Sequence, residues 1–221
     1  MTDRTISLDI LSDPICPWCY IGKTHLDQAL AAIPDHPFVI QWHPFQLNPD
    51  MPEDGMDRRA YLEAKFGGKD GAVRAYAPVV ESAEAAGLSI NFEDMARTPN
   101  TMDAHRLIHW AGIEHKQNDM VDALFNAYFV EARDIGDPEV LADIADSIGM
   151  DASVVARLLA TDADRDDIAK RDRHSREMGV TSVPTFIVAG KHAVPGAQPP
   201  ELWQKVIREL QAQIPESAEQ H

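Results

Sequence analysis

Apolar and polar residues alternate at the start of the chain. In RTISLDILSD, Ile6, Leu8 and Ile10 are separated by Ser7 and Asp9, which is the period of a strand, and the run ends at the turn signal Asp13-Pro14. The period then changes. In CPWCYIGKTHLDQALAAI, Leu26, Ala29, Leu30 and Ile33 recur at helical spacing, and Pro34 stops the run. Pro17 sits at the start, where the N–H that proline lacks would have no partner in a helix anyway. The β-branched and aromatic run FVIQWHPF predicts a second strand ending near Pro44. Together these make a strand–helix–strand unit, whose crossover is expected to be right-handed.

From about Asn48 to Met178 the pattern is helical almost throughout, punctuated by Gly87, Gly136-Asp137-Pro138, Gly149 and Gly179, with no repeat of fixed period. The segment ASVVARLLATDADRDDIAKRDRHSREMG reads as helical from end to end, and its mixed-charge run TDADRDDIAKRDR is expected to be a solvated face. Strand spacing returns with Thr185 to Val188, directly after Val183-Pro184. A tight turn at Ala189-Gly190 leads to KHAVPG as the partner strand. PPELWQKVIRELQAQI then forms an amphipathic helix with Leu202, Val206, Ile207 and Leu210 on one face, and PESAEQH is expected to fray. The order is βαβ, then helices, then ββα. This predicts an α/β protein made of a discontinuous unit (residues 1–47 and 179–221) and an all-α insertion domain (48–178).

Composition narrows the function. The 221 residues carry a net charge of −16, which disfavours nucleic acid and anionic membrane surfaces as partners. No apolar run reaches the roughly 18 residues of a membrane span. The start, MTDRTISLDILSDP, has no basic region followed by an apolar stretch, so a cytoplasmic location is expected, where thiols are kept reduced.

That compartment gives weight to the two cysteines, Cys16 and Cys19, which form a CxxC beside a βαβ pattern. Two intervening residues at the first turn of a helix bring the sulfurs within disulfide reach. The first then lies at the helix N-terminus, where backbone N–H groups and the macrodipole favour a thiolate. Cys16 is therefore the expected attacking sulfur and Cys19 the resolving one. A structural zinc site would want four ligands, and no second cysteine pair or suitably spaced histidine pair supplies them. Two inert buried cysteines or a vestigial disulfide are the remaining readings, and dithiol chemistry is preferred. A second signal is SVPTF. Pro184 precedes a strand, and a cis Val183–Pro184 bond is expected there, turning the Val183 backbone toward the cysteines to hydrogen-bond an extended peptide or glutathione.

CPWC after a strand, a helical insertion, and Val183-Pro184 before a hairpin and last helix resemble the DsbA-like branch of the thioredoxin superfamily. The strings SDPICPWCYIGK, PFQLNP, NTMDAHRLIHWA, GVTSVPTFIV and GAQPPE are similar to its cytoplasmic FrnE-like group, from about Ile6 to Leu210. The resemblance implies a thioredoxin-like fold interrupted by a helical domain, and thiol–disulfide exchange through Cys16 and Cys19 with Pro184. Kappa glutathione transferases and 2-hydroxychromene-2-carboxylate isomerases are related, but have Ser at the position of Cys16, which argues against an isomerase. Elements of a glutathione site are implied at Asn48, the Val183 backbone and Gly196, Ala197 and Gln198, where a carboxylate would meet a helix N-terminus. Trp18 is expected to be exposed as a substrate platform. One departure concerns the carboxylate that relatives carry six positions before the first cysteine. Ile10 stands there, Asp9 faces the other way, and the proton acceptor for Cys19 is left open.

Lys23 is expected to be a surface lysine, His25 structural, and Phe45, Phe66, Trp110 and Phe129 core. His105 and His109 lie four apart, a spacing that suits a metal, but without an HExxH pattern packing is preferred. The reading is an oxidoreductase with no tightly bound cofactor and no metal, with glutathione as a possible co-substrate. Its partner would be a disulfide-containing protein or a small thiol, and an apolar face on the insertion is where a homodimer would form. The alternatives are a glutathione-dependent isomerase or transferase of a small aromatic or polyketide-like molecule, and a redox-sensing or chaperone-like binding module.

Overall fold

The computed structural model describes residues 5–213; PESAEQH lies outside them. Strand β1 spans Ile6–Ser12, helix α1 Pro17–Ala32 and strand β2 Phe38–Pro44. The middle of the chain begins with β3 (Met56–Asp57), α2 (Arg58–Phe66), α3 (Lys69–Ala85) and β4 (Arg97–Thr98). It continues with α4 (Met102–Ile113), α5 (Gln117–Phe125), a π-helical turn over Asn126–Val130, α6 (Pro138–Ser147), α7 (Ala152–Leu159) and α8 (Arg165–Glu177). Strands β5 (Thr185–Val188) and β6 (His192–Pro195) and helix α9 (Pro200–Gln213) close the described chain.

The main sheet has the order β2-β1-β5-β6. β1 runs parallel to β2, from Ile6 opposite Phe38 to Ser12 opposite Pro44, and antiparallel to β5, with Ile10 opposite Phe186. β1 is thus paired along both edges, and Leu8, Ile10 and Leu11 are buried. Helices α1 and α9 pack together. Trp203, outside the apolar face read from the sequence of α9, is its anchor: it is fully buried and meets the Phe186 ring edge-on at 4.7 Å. One apolar core continues from the sheet into the helices. Tyr20 of α1 carries it across, stacked on Phe125 at 5.2 Å and Phe129 at 5.4 Å.

Four expectations need correction. The segment from Ala152 to Glu177 is two helices, because the buried Arg106 guanidinium collects the carbonyls of Leu158, Thr161 and Ala163 at the break. The charged run of α8 is not wholly solvated. Ile168, Asp172 and Ser175 are buried, and Asp172 accepts the Gln46 N–H at 2.7 Å, tying α8 to the segment after β2. Lys23 is buried rather than on the surface, with its ammonium 2.6 Å from Asp27 and 2.5 Å from Asp122 of α5. The middle also contains a short antiparallel pairing of β3 with β4, Met56 opposite Thr98, in a region read as helical.

Candidate active site at the start of α1

The chain leaves β1, turns at Asp13-Pro14 and enters α1 at Pro17, which leaves Cys16 as the N-cap. Its backbone is extended, φ −87° and ψ 114°. Its carbonyl already accepts the N–H groups of Cys19 at 3.0 Å and Tyr20 at 3.2 Å, so the helix starts directly beneath its sulfur. The Cys16 thiol donates to the Val183 carbonyl at 3.7 Å, across 167 residues of sequence. The peptide bond after that carbonyl, Val183–Pro184, is cis. Cys19 lies within the first turn and is 1% exposed. Burial pushes its thiol well above the usual cysteine range, and the neighbouring Cys16 adds to the rise. The Ser12 hydroxyl and the Asp13 backbone N–H act the other way, by hydrogen bonding to the Cys19 sulfur.

A cleft of about 290 Å³ opens over Cys16. Its walls include Trp18, Arg58, Tyr61, Lys65 and Val183. Trp18 is half-buried rather than exposed, packed beside Ile21 and Val79. Phe66, expected in the core, is 36% exposed and lines the cleft, while Phe45, Trp110 and Phe129 are buried as expected. Asn48 is tied to two of the residues that line the cleft. Its Oδ1 accepts from the Tyr61 hydroxyl at 2.8 Å and from Lys65 at 3.3 Å, and its buried Nδ2 has no partner.

Gly196, Ala197 and Gln198 do not line this cleft. They pack behind Pro184: the Gly196 N–H donates to the Pro184 carbonyl at 2.8 Å, and a Cβ on Gly22 of α1 would lie 3.3 Å from the Ala197 Cα. The Gln198 carbonyl is 3.1 Å from Nδ1 of His25, giving that histidine a structural place.

Three cleft residues escaped the sequence reading. Arg58, Tyr61 and Lys65 fall on one face of α2 at i, i+3 and i+7, a spacing visible in DRRAYLEAKFG, although nothing local says which face meets the dithiol. Arg58 is buried at 7% exposure, held by the hydroxyls of Tyr76 at 3.1 Å and Tyr128 at 3.2 Å, and keeps positive charge in a mostly apolar cleft.

Behind the dithiol, Asp13 is fully buried. Its Oδ2 accepts the Leu47 N–H at 2.7 Å, and its Oδ1 is 3.7 Å from Nε2 of His105, which is 3% exposed. His109 is half-buried, with Nδ1 3.4 Å from the Arg171 guanidinium. Among the described residues no group of three histidine, cysteine or acidic side chains is arranged to hold a metal ion, and no helix is long and apolar enough to cross a membrane.

Residues 7–208 match the DSBA-like thioredoxin domain family. Among solved structures, the chain is similar to a probable DsbA oxidoreductase from Streptomyces coelicolor, 30% identical, with a TM-score of 0.84 over 96% of this chain and 92% of the other. A 2-hydroxychromene-2-carboxylate isomerase shares the fold at 16% identity, with a TM-score of 0.71 over 94% and 97% of the two chains. So does the cytosolic disulfide reductase DsbM from Pseudomonas aeruginosa, solved with GSH, at 17% identity and a TM-score of 0.66 over 94% and 100%.

Proposed function

Because the chain belongs to the DSBA-like thioredoxin domain family, we propose that it is a dithiol–disulfide oxidoreductase in which Cys16 attacks and Cys19 resolves, acting on glutathione disulfide or on mixed disulfides of glutathione. The reading is carried by the pair at the head of α1: one sulfur at the N-cap, on a cleft wall, and the other shut inside the first turn. The Cys16 sulfur, at the N-cap of α1, attacks a disulfide in the cleft as its thiolate and forms a mixed disulfide, releasing the first thiolate. Cys19 then attacks Cys16, closing the intramolecular disulfide and releasing the second thiol.

The small, anionic substrate is inferred from the walls. Arg58 and Lys65 supply positive charge to bind carboxylates. Main-chain groups flanking Pro184 suit an extended γ-glutamyl peptide. The DsbM neighbour was solved with GSH, which agrees with a small thiol partner. The Ser-dependent isomerase reading is disfavoured by Cys16.

The test is turnover of glutathione disulfide coupled to a thiol regenerant. Cys16→Ser should lower the rate by about a thousandfold or more, within the range of effects assigned to nucleophilic residues. Lys65→Ala should raise KM several-fold with little change in kcat, as expected when binding common to ground and transition states is lost. A rate unaffected by Cys16→Ser would overturn the proposal.

A further inference from the structure

The structure assigns a proton acceptor to the resolving thiol: His105, reached from the Cys19 sulfur through the Ser12 hydroxyl and one water, and oriented by the buried Asp13 carboxylate. The inference rests on the dithiol reading above and deepens it.

Cys19 is shut away from solvent and held as a thiol by that burial, yet it must give up its proton when it attacks the Cys16 mixed disulfide. A substrate joined to Cys16 blocks the cleft at that moment, so the proton needs another way out. Among the described residues, the side chains that act on the Cys19 thiol by hydrogen bonding are Cys16, its partner in the exchange, and Ser12, whose hydroxyl is the one free to pass a proton on. Ser12 also lines a small cavity, of about 20 Å³, whose walls include His105, His43, His109 and Arg171. That volume accommodates one water molecule.

Two buried polar atoms beside it are left without a hydrogen-bond partner: Nε2 of His105 and Oδ1 of Asp13, 3.7 Å apart. Orphaned atoms at such depth are costly, and two of them facing one another invite a functional explanation. A proton arriving at Nε2 removes both deficits, since imidazolium and carboxylate then form a buried ion pair. Trp42, His43, His109 and Arg171 line both this cavity and a larger groove at the surface, and neither shares a residue with the walls of the Cys16 cleft. The proton therefore leaves by a face that the substrate does not cover.

The step balances. The Cys19 sulfur forms a bond to the Cys16 sulfur, and the bond from Cys16 to the substrate sulfur breaks with its electron pair leaving on the substrate thiolate. The Cys19 proton passes to Ser12, the Ser12 proton to the water, and a water proton to Nε2 of His105. In the reverse direction the same chain reprotonates Cys19. Asp13 is a positioning residue here, and Ser12 and the water are the conduits.

The experiment uses the full-length reduced protein and 5,5′-dithiobis(2-nitrobenzoate) in stopped flow. The first thionitrobenzoate released reports attack by Cys16, and the second reports resolution by Cys19. In His105→Gln and in Asp13→Asn the first phase should stay within about twofold of wild type, while the second slows by about a hundredfold at neutral pH, the range of general base catalysis. The pH profile of the second phase should lose an inflection present in the wild type and rise only with hydroxide. His43, His109, Arg171 and the Asp9 partner of His43 also carry or can take charge near the cavity, so His43→Gln and His109→Gln serve as controls that keep the inflection. Ser12→Ala, a smaller change, should give the same selective loss if the histidine variant folds poorly.

Equal slowing of both phases, or a second phase of wild-type rate and pH profile in the variants, would overturn the relay and leave the dithiol mechanism intact. Absence of a second phase in the wild type would instead remove the dithiol mechanism itself.

Discussion

At the scale of single residues, this site is governed by how differently two buried sulfurs three positions apart, at 3% and 1% exposure, are placed. Cys16 ends a strand-like stretch and faces a cleft, whereas Cys19 is enclosed, and burial holds its thiol above the usual cysteine range with help from Cys16. The sign of the consequence is fixed. A thiol whose pKa is raised in the folded state contributes stability that is fully present below the unfolded value of about 8.5. It is lost progressively as pH rises from there to the folded value, because the unfolded chain gives up the proton first. The reduced protein should therefore lose stability above about pH 8.5, by up to about 1.4 kcal/mol per pH unit from this group alone. Cys19→Ala should flatten that slope between pH 8.5 and 10, measured by urea unfolding under reducing conditions; an equal slope in the variant would count against the burial argument. The CxxC at a helix start was legible from spacing. Arg58, Asp13 and Ser12 were not, because their importance comes from what lies next to them and their local sequences are unremarkable.

At the scale of elements, the contact that sets the cleft is α1 against the loop around Pro184. A Cβ added at Gly22 would lie 3.0 Å from the Pro184 Cγ and 3.3 Å from the Ala197 Cα, so α1 approaches the loop as closely as a glycine allows. Gly22→Ala in mid-helix gains up to about 1 kcal/mol in helix propensity, but overpacking costs about 1–3 kcal/mol, and the neighbours here are a proline ring and backbone. A net loss of about 1 kcal/mol is expected in urea unfolding, together with slower exchange as the loop moves off Cys16; a stabilised variant with unchanged exchange would show that the loop gives way freely. Strands and helices at both ends of the chain followed their hydrophobic periods. The break between α7 and α8 did not, since Arg106 of α4 competes successfully for carbonyls that a continuous helix would have kept. Periodicity has no means of reporting a partner from 50 residues away.

At the scale of the whole molecule, the apolar core runs unbroken from β1 and β5 through Tyr20, Phe125 and Phe129 into the middle helices. Polar ties cross the same boundary. The Trp42 indole N–H donates to Asn118 at 2.6 Å, and Lys23 joins α1 to Asp122 of α5. Unfolding should accordingly be a single transition, with the tryptophan fluorescence of a Trp110→Phe variant, whose remaining Trp18, Trp42 and Trp203 lie on α1, β2 and α9, and helical circular dichroism coinciding along a urea titration. Separate midpoints would mean that the middle helices form an independent cooperative unit. Under a net charge of −16, the anionic substrate proposed above would depend on Arg58 and Lys65 at the cleft.

The amino-acid sequence alone determined the order of strands and helices, the βαβ and ββα ends, and the dithiol at a helix start. These depend on side-chain period, on proline and glycine punctuation, and on two cysteines held at fixed spacing by one helical turn. Only the tertiary structure decided that α2 supplies the cleft's positive charge, that Lys23 is buried, and that Asp13 and His105, 92 positions apart, face each other behind Cys19. Desolvation and pairing at such distances depend on how the elements pack, and the local pattern of residues carries no record of it.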